Sequence, residues 1–304
     1  MNWKTVTSVP NELGESPFWH PDEQSLYWVD IPARKLCRLA PSQGEEPQTW
    51  AMPMEPGSIA PARSGGLVLS LRDGFYRAPG WGGELQRLTK AEHDISTTRF
   101  NDGKADPVGR FWAGTMYEPR TAAKAELFSI DCRHGQPVLE RKAVGATIAN
   151  GLAWSPDGAT IYWTDTTRHL IRAWDWNATT NAMSRERTFH AWAGKPPGWQ
   201  PGMAGYGGRP DGAAVDSEGN YWVAMFEGGR VVKLSPHGEE LASFAVPALC
   251  PTMPCFGGPE LKTLYVTTAR AGRGAEELAR YPDSGCVFSM PVSVPGLPVN
   301  FFVD

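Results

Sequence analysis

Asn150-Gly151-Leu152-Ala153-Trp154-Ser155-Pro156-Asp157-Gly158, running on to Thr160-Ile161-Tyr162-Trp163-Thr164-Asp165, decides the fold. A small polar turn opens the stretch and a short apolar strand follows. Pro-Asp-Gly punctuation then breaks the chain before an aromatic strand. Period-2 alternation bounded by Gly, Pro and Asp is the signature of strands. The same unit recurs at Gly14-Glu15-Ser16-Pro17-Phe18-Trp19 with Ser25-Leu26-Tyr27-Trp28-Val29-Asp30. It recurs again at Asn101-Asp102-Gly103-Lys104-Ala105-Asp106 with Phe111-Trp112-Ala113-Gly114, and at Asp211-Gly212-Ala213-Ala214 with Tyr221-Trp222-Val223-Ala224. Weaker copies start at Gly57-Ser58-Ile59-Ala60-Pro61 and at Cys255-Phe256-Gly257-Gly258.

Anchors at 14, 57, 101, 150, 211 and 255 are separated by 43, 44, 49, 61 and 44 residues. A four-stranded propeller blade takes about 40–50 residues. Six copies therefore predict an all-β, six-bladed β-propeller occupying residues 1–304 as one domain, with helical periodicity only around Ala275–Arg280. A ring must be closed, or its end blades expose raw edges. The expected clasp pairs residues 4–9 with 285–290 or 299–303. The long interval contains 190–209, a Gly- and Pro-rich loop by composition that could cover one mouth of the ring.

Composition narrows the function. Net charge is −4 with no basic stripe, which argues against a nucleic-acid partner. No apolar run is long enough to span a bilayer, and the start lacks a basic segment followed by an apolar one, so a cytoplasmic address and no membrane partner are expected. The five cysteines are odd in number and contain no CxxC, against both a disulfide framework and a thiolate zinc site. Oligomeric state is not readable.

The first strand of each blade lines the channel of a propeller. The residues at or beside the anchors are Glu15, Ser58, Asn101, Asn150, Asp211 and Phe256. Carboxylates and amide carbonyls without Cys or His suit a hard cation such as Ca²⁺, Mg²⁺ or Mn²⁺. The six histidines share no repeat position and read as surface residues. Asp and Asn before Gly are also plain turn formers, and Asp157-Gly158 reads as one. Glu15 does not, since Glu is no favoured turn residue.

At these residues the chain resembles the SMP-30/gluconolactonase/LRE (regucalcin-like) family, nearly end to end. The most specific stretches are Arg99-Phe100-Asn101-Asp102-Gly103-Lys104 with Gly114-Thr115-Met116, Asn150-Gly151-Leu152-Ala153-Trp154-Ser155, and Pro210-Asp211-Gly212. Leu264-Tyr265-Val266-Thr267-Thr268-Ala269-Arg270 adds to them. The resemblance implies a sugar-lactone hydrolase with one divalent metal ion (Ca²⁺, Mn²⁺, Mg²⁺, Zn²⁺ or Fe²⁺). Its metal ligands would map onto Glu15, Asn150 and Asp211, and its substrate contacts onto Arg99 and Asn101. A further acidic contact falls on Glu118, one place off in an ungapped match. The chemistry expected is metal-assisted ester hydrolysis with Asp211 as the catalytic proton acceptor.

Three rivals stand beside it. One is an arylesterase or other hydrolase resembling paraoxonase, which would call for a His base. Another is a non-catalytic calcium-binding propeller. The third is an extracellular receptor module, whose YWTD signature Tyr162-Trp163-Thr164-Asp165 matches.

Overall fold

The computed structural model describes residues 3–41 and 46–304. Among them, twenty-four strands form six four-stranded antiparallel sheets. Blade one holds β2 (Gly14–His20), β3 (Ser25–Asp30), β4 (Lys35–Leu39) and β5 (Gln48–Ala51). Blade two holds β6 (Pro56–Pro61), β7 (Leu67–Leu71), β8 (Gly74–Ala78) and β9 (Gln86–Lys90). Blade three holds β10 (Thr98–Ala105), β11 (Phe111–Tyr117), β12 (Ala125–Asp131) and β13 (Val138–Ala146). Blade four holds β14 (Ala149–Trp154), β15 (Thr160–Asp165), β16 (Leu170–Asn177) and β17 (Ala182–Ala191). Blade five holds β18 (Arg209–Val215), β19 (Tyr221–Phe226), β20 (Arg230–Leu234) and β21 (Glu240–Ala245). Blade six is composite: β22 (Pro251–Gly257), β23 (Thr263–Thr268), β24 (Phe288–Pro291) and, outermost, the N-terminal β1 (Lys4–Thr5).

That last pairing closes the ring as expected, with Lys4 opposite Ser289 and Thr5 opposite Phe288. Residues 299–303, the alternative clasp, go elsewhere. The C-terminal segment crosses one end of the channel, where Leu297 N–H donates to Val215, Phe302 N–H to Pro61 and Val303 N–H to Gly109. Phe302 is fully buried. The helix α1 (Ala275–Arg280) lies where the sequence placed it. The long loop is shorter than its composition suggested. His190 and Ala191 end β17 opposite Ile171 and Leu170, and Arg209 begins β18, leaving 192–208 as loop. Ladder hydrogen bonds override the loop-like composition at both edges.

Burial falls from axis to rim. β2, β6, β14 and β22 are buried throughout, whereas β5, β9 and β21 are largely exposed. The aromatic strands pack blade against blade. Trp112 meets Trp154 edge-on between blades three and four, Trp222 meets Phe256 between five and six, and Trp19 stacks on Tyr265 between one and six. Such pairs contribute about 0.5–1.5 kcal/mol each beyond area burial. Their N–H groups explain two repeat aspartates. Asp106 accepts from Trp112 Nε1 and Asp216 from Trp222 Nε1, each at 2.9 Å. Asp157 is a turn former, accepting from Ser155 Oγ and the Ala159 N–H. All five cysteines are buried and free.

Candidate active site

In every blade the ladder from the innermost strand to its neighbour breaks register once. The breaks lie between Glu15 and Phe18, Pro56 and Ser58, Phe100 and Gly103, Asn150 and Ala153, Pro210 and Ala213, and Pro251 and Met253. A bulge bends its strand and re-aims side chains, and bulges gather next to active sites. Here they turn polar residues towards the axis at the end opposite the C-terminal segment. Glu15 and Asn150 are the last paired residues before their bulges. Asn101 and Asp211 are the first residues inside theirs. One shared repeat position is thus too strict a description, and the anchor chosen in blade six is displaced. Thr252, inside the bulge, holds the ring position and donates to the Gly14 carbonyl, whereas Phe256 packs on Trp222 near the other end. Ser58 is turned into its own blade, with its Oγ 2.8 Å from Ser70 Oγ.

Glu15, Arg99, Asn101, Asp102, Asn150 and Asp211 are all buried. Two amides join the blades. Arg99 Nη1 donates to Asn101 Oδ1 at 2.7 Å, and Asn101 Nδ2 donates to Asn150 Oδ1 at 2.8 Å and to the Ala149 carbonyl at 2.9 Å. Asn150 Nδ2 in turn donates to Thr166 Oγ1 at 2.8 Å. This chain of donors fixes the orientation of Asn150, and it occupies both amide protons of Asn101. Asn101 therefore positions Asn150, and the guanidinium of Arg99 is the group with donors to spare. Glu118 sits beyond Arg99, 3.9 Å from its Nε, and is gripped by both Nη atoms of Arg72 at 3.0 Å.

Three carboxylates face this space. Burial, followed by the charges of Asp211 and Asp102, holds the Glu15 carboxyl well above the ordinary carboxylate range. Burial also pushes Asp211 up, with Arg209 pulling it back and Asp102 adding to the rise. Asp102 is raised by burial and opposed by Lys104. One oxygen of Asp102 accepts the Leu152 N–H at 2.9 Å, while its buried Oδ1 has no partner. The Asp211 carboxylate accepts no side-chain hydrogen bond among the described residues. Buried carboxylates that depress one another's ionisation, one with an orphaned oxygen, form a site short of positive charge. Such a donor set fits a hard divalent cation. No three His, Cys, Asp or Glu side chains among the described residues are grouped to hold an ion by themselves. A cation at Glu15 and Asp211 would therefore also draw on Asn150 and on water or substrate oxygens.

The family model described as SMP-30/Gluconolactonase/LRE-like region matches residues 13–270. The chain belongs to this family. Within its sequence range, the chain is 42% identical over 303 residues to a 6-deoxy-6-sulfogluconolactonase of Pseudomonas putida, covering 98% of each. It is 34% identical to the regucalcin of Danio rerio, over 96% of this chain and 95% of that one. A crystal structure described as a calcium-binding protein, regucalcin, from Agrobacterium tumefaciens superposes with a TM-score of 0.88 at 25% identity, covering 98% and 96% of the two chains. The propeller is thus the family's fold.

Sequence reasoning missed what lies around the ring. Thr166, in the 3-10 turn Thr166–Arg168, orients Asn150 and carries no motif. His169 was read as a surface residue, yet it is buried at this end with Nε2 2.7 Å from Tyr206 Oη of the 192–208 loop. The same loop is fastened by Lys195, 2.9 Å from Glu227. Asp102 was visible only as half of an Asp-Gly turn; its bulge is what turns it inward.

Proposed function

We propose that the chain hydrolyses a sugar-type lactone to its aldonic acid, at the mouth of the channel bounded by Glu15, Asn150 and Asp211. It acts as one propeller domain, in the cytoplasm, on a small soluble substrate. The observation carrying this reading is the group of buried, mutually repelling carboxylates beside an oriented Asn150 and the free donors of Arg99. The 42% identity to a named lactonase across the whole chain supports it. Among the described residues, no helix is long and apolar enough to cross a membrane.

Glu15, Asn150 and Asp211 would hold the divalent ion, for which Ca²⁺, Mn²⁺, Mg²⁺, Zn²⁺ and Fe²⁺ are candidates. When bound, that ion supplies Lewis-acid polarisation of the carbonyl. Arg99 orients the lactone through hydrogen bonds to its carbonyl or hydroxyl oxygens, and Asn101 keeps Asn150 in place. Glu118 holds Arg99 and Arg72 at the rim. Asp211 accepts a proton from the attacking water as its oxygen bonds to the carbonyl carbon. The ring C–O bond then breaks, and Asp211 returns the proton to the departing ring oxygen. Among the described residues no histidine is hydrogen-bonded to Glu15, Asn150 or Asp211, which disfavours the paraoxonase-like alternative.

The test is proton release in a pH-stat with aldonolactones, before and after exhaustive chelation. Metal-restored acid production is expected. Undiminished turnover after chelation would remove the cation from the reaction, and no turnover of any aldonolactone would defeat the lactonase reading.

A further inference from the structure

The end of the channel away from the carboxylates is a cavity of about 250 Å³. Phe18, Ile59, Lys104, Trp154, Val215 and Phe256 wall it, one from each blade in turn. Residues 297–300 of the C-terminal segment cover part of it. That segment is bonded to blades two, three and five, and among the described residues none of its main-chain hydrogen bonds reaches blade four. Pro107 and Pro156, in the turns that follow β10 and β14, line the cavity and are exposed, as is Pro298 of the segment. The cavity opens to solvent between them.

Most of this wall is apolar, and three of its polar side chains are already used. Ser16 Oγ accepts the Ile59 N–H at 3.0 Å, and Ser155 Oγ accepts the Thr160 N–H at 2.9 Å and donates to Asp157 at 2.6 Å. Asn300 Nδ2 donates to the Ala105 carbonyl at 3.2 Å. Lys104 differs. Its ammonium has three donors, yet the Ala213 carbonyl is its one hydrogen-bond partner among the described residues, and none of their carboxylates is ion-paired with it. Burial weakens its hold on the proton, against the steadying charge of Asp102. A cation facing an apolar space without a counter-ion is costly, and an anion entering that space removes the cost.

We propose that this cavity is a second binding site, for a small carboxylic acid with an apolar, ring-bearing body. The carboxylate takes the free donors of Lys104, and the body packs among Phe18, Trp154 and Phe256. A dry apolar cavity of about 150 Å³ admits benzene, so this one takes a ring with a short arm, roughly ten non-hydrogen atoms in all. A sugar does not suit it, because its hydroxyls would lie unpaired against apolar walls. The site is therefore separate from the lactone's, and it stands whatever reaction the other end performs.

The experiment is calorimetric titration of the full chain, divalent ion present, with phenylacetate and with its neutral isostere phenylacetamide. A charge-assisted hydrogen bond predicts roughly tenfold tighter binding of the acid. Lys104→Met should bring the two ligands within about twofold of each other by weakening the acid alone. Ala214→Leu, which narrows the cavity from blade five, should weaken both, and it tests the site even if the lysine variant does not fold. Gluconate, a sugar acid suited to the catalytic end, should leave phenylacetate binding unchanged. The proposal is overturned by any of four results. These are no binding of phenylacetate, a preference for the acid that survives Lys104→Met, full affinity in Ala214→Leu, or displacement by gluconate, which would put the acid at the other end.

Discussion

Asn101 on β10 donates a 2.8 Å hydrogen bond to the side-chain oxygen of Asn150 on β14, joining the inner strands of blades three and four at the ring. The bond fixes which face Asn150 turns to the channel. Removing it with Asn101→Ala leaves Asn150 held only through Thr166. Outer partners of ligating side chains typically matter by about 10–100-fold in metal affinity or activity. A loss of that size is expected in titrations with divalent ions and in kcat/KM. Wild-type metal affinity in the variant would show that Thr166 alone suffices.

Asp211→Asn keeps the side chain's shape while removing its charge. Turnover should fall by roughly 10²–10⁴-fold, the usual worth of a positioned acid–base group. The same change relieves the repulsion among Glu15, Asp102 and Asp211 in metal-free protein. The chelated variant should therefore melt at a higher temperature than chelated wild type. A lower melting point would mean that the carboxylate is structurally required.

Asp131, remote from the channel, reports on acid stability. Hydrogen bonds from Arg133 hold its carboxyl down to about 2 against an ordinary 3.8. A depressed carboxyl stabilises the fold above its unfolded value, and that gain disappears as pH falls through the folded value. Relative to Asp131→Asn, the wild type should thus be more stable above pH 4, with the difference vanishing near pH 2. Melting curves across that window test the sign.

Gly57, on the inner strand of blade two, abuts the backbone of the inner strand of blade three. A Cβ there would stand 2.6 Å from the Phe100 carbonyl carbon and 2.9 Å from the Asn101 nitrogen, both backbone atoms. Gly57→Ala must push β10 away, at a cost of about 1–3 kcal/mol for overpacking. Because the displaced backbone carries Arg99 and Asn101, kcat/KM should fall together with the melting temperature. Unchanged kinetics would show that the site tolerates the shift.

The propeller was legible because each blade needs the same strand, turn and aromatic strand, and the period survives in residue types such as Tyr162-Trp163 and Tyr221-Trp222. Glu15 was legible for the opposite reason, as a charged residue amid an apolar strand. Its meeting with Asn150 and Asp211 at one end of the channel needed the backbone. The bulges differ in length, and counting from Gly or Asp misplaced the sixth anchor on Phe256 instead of Thr252.

The segment 297–303 has a consequence for how the circle of blades is held. With Phe302 bonded to Pro61, Val303 to Gly109 and Leu297 to Val215, it laces blades two, three and five together. The pairing of β1 with β24 fastens blade six, and this strap fastens three others, so the ring is tied at two separate places.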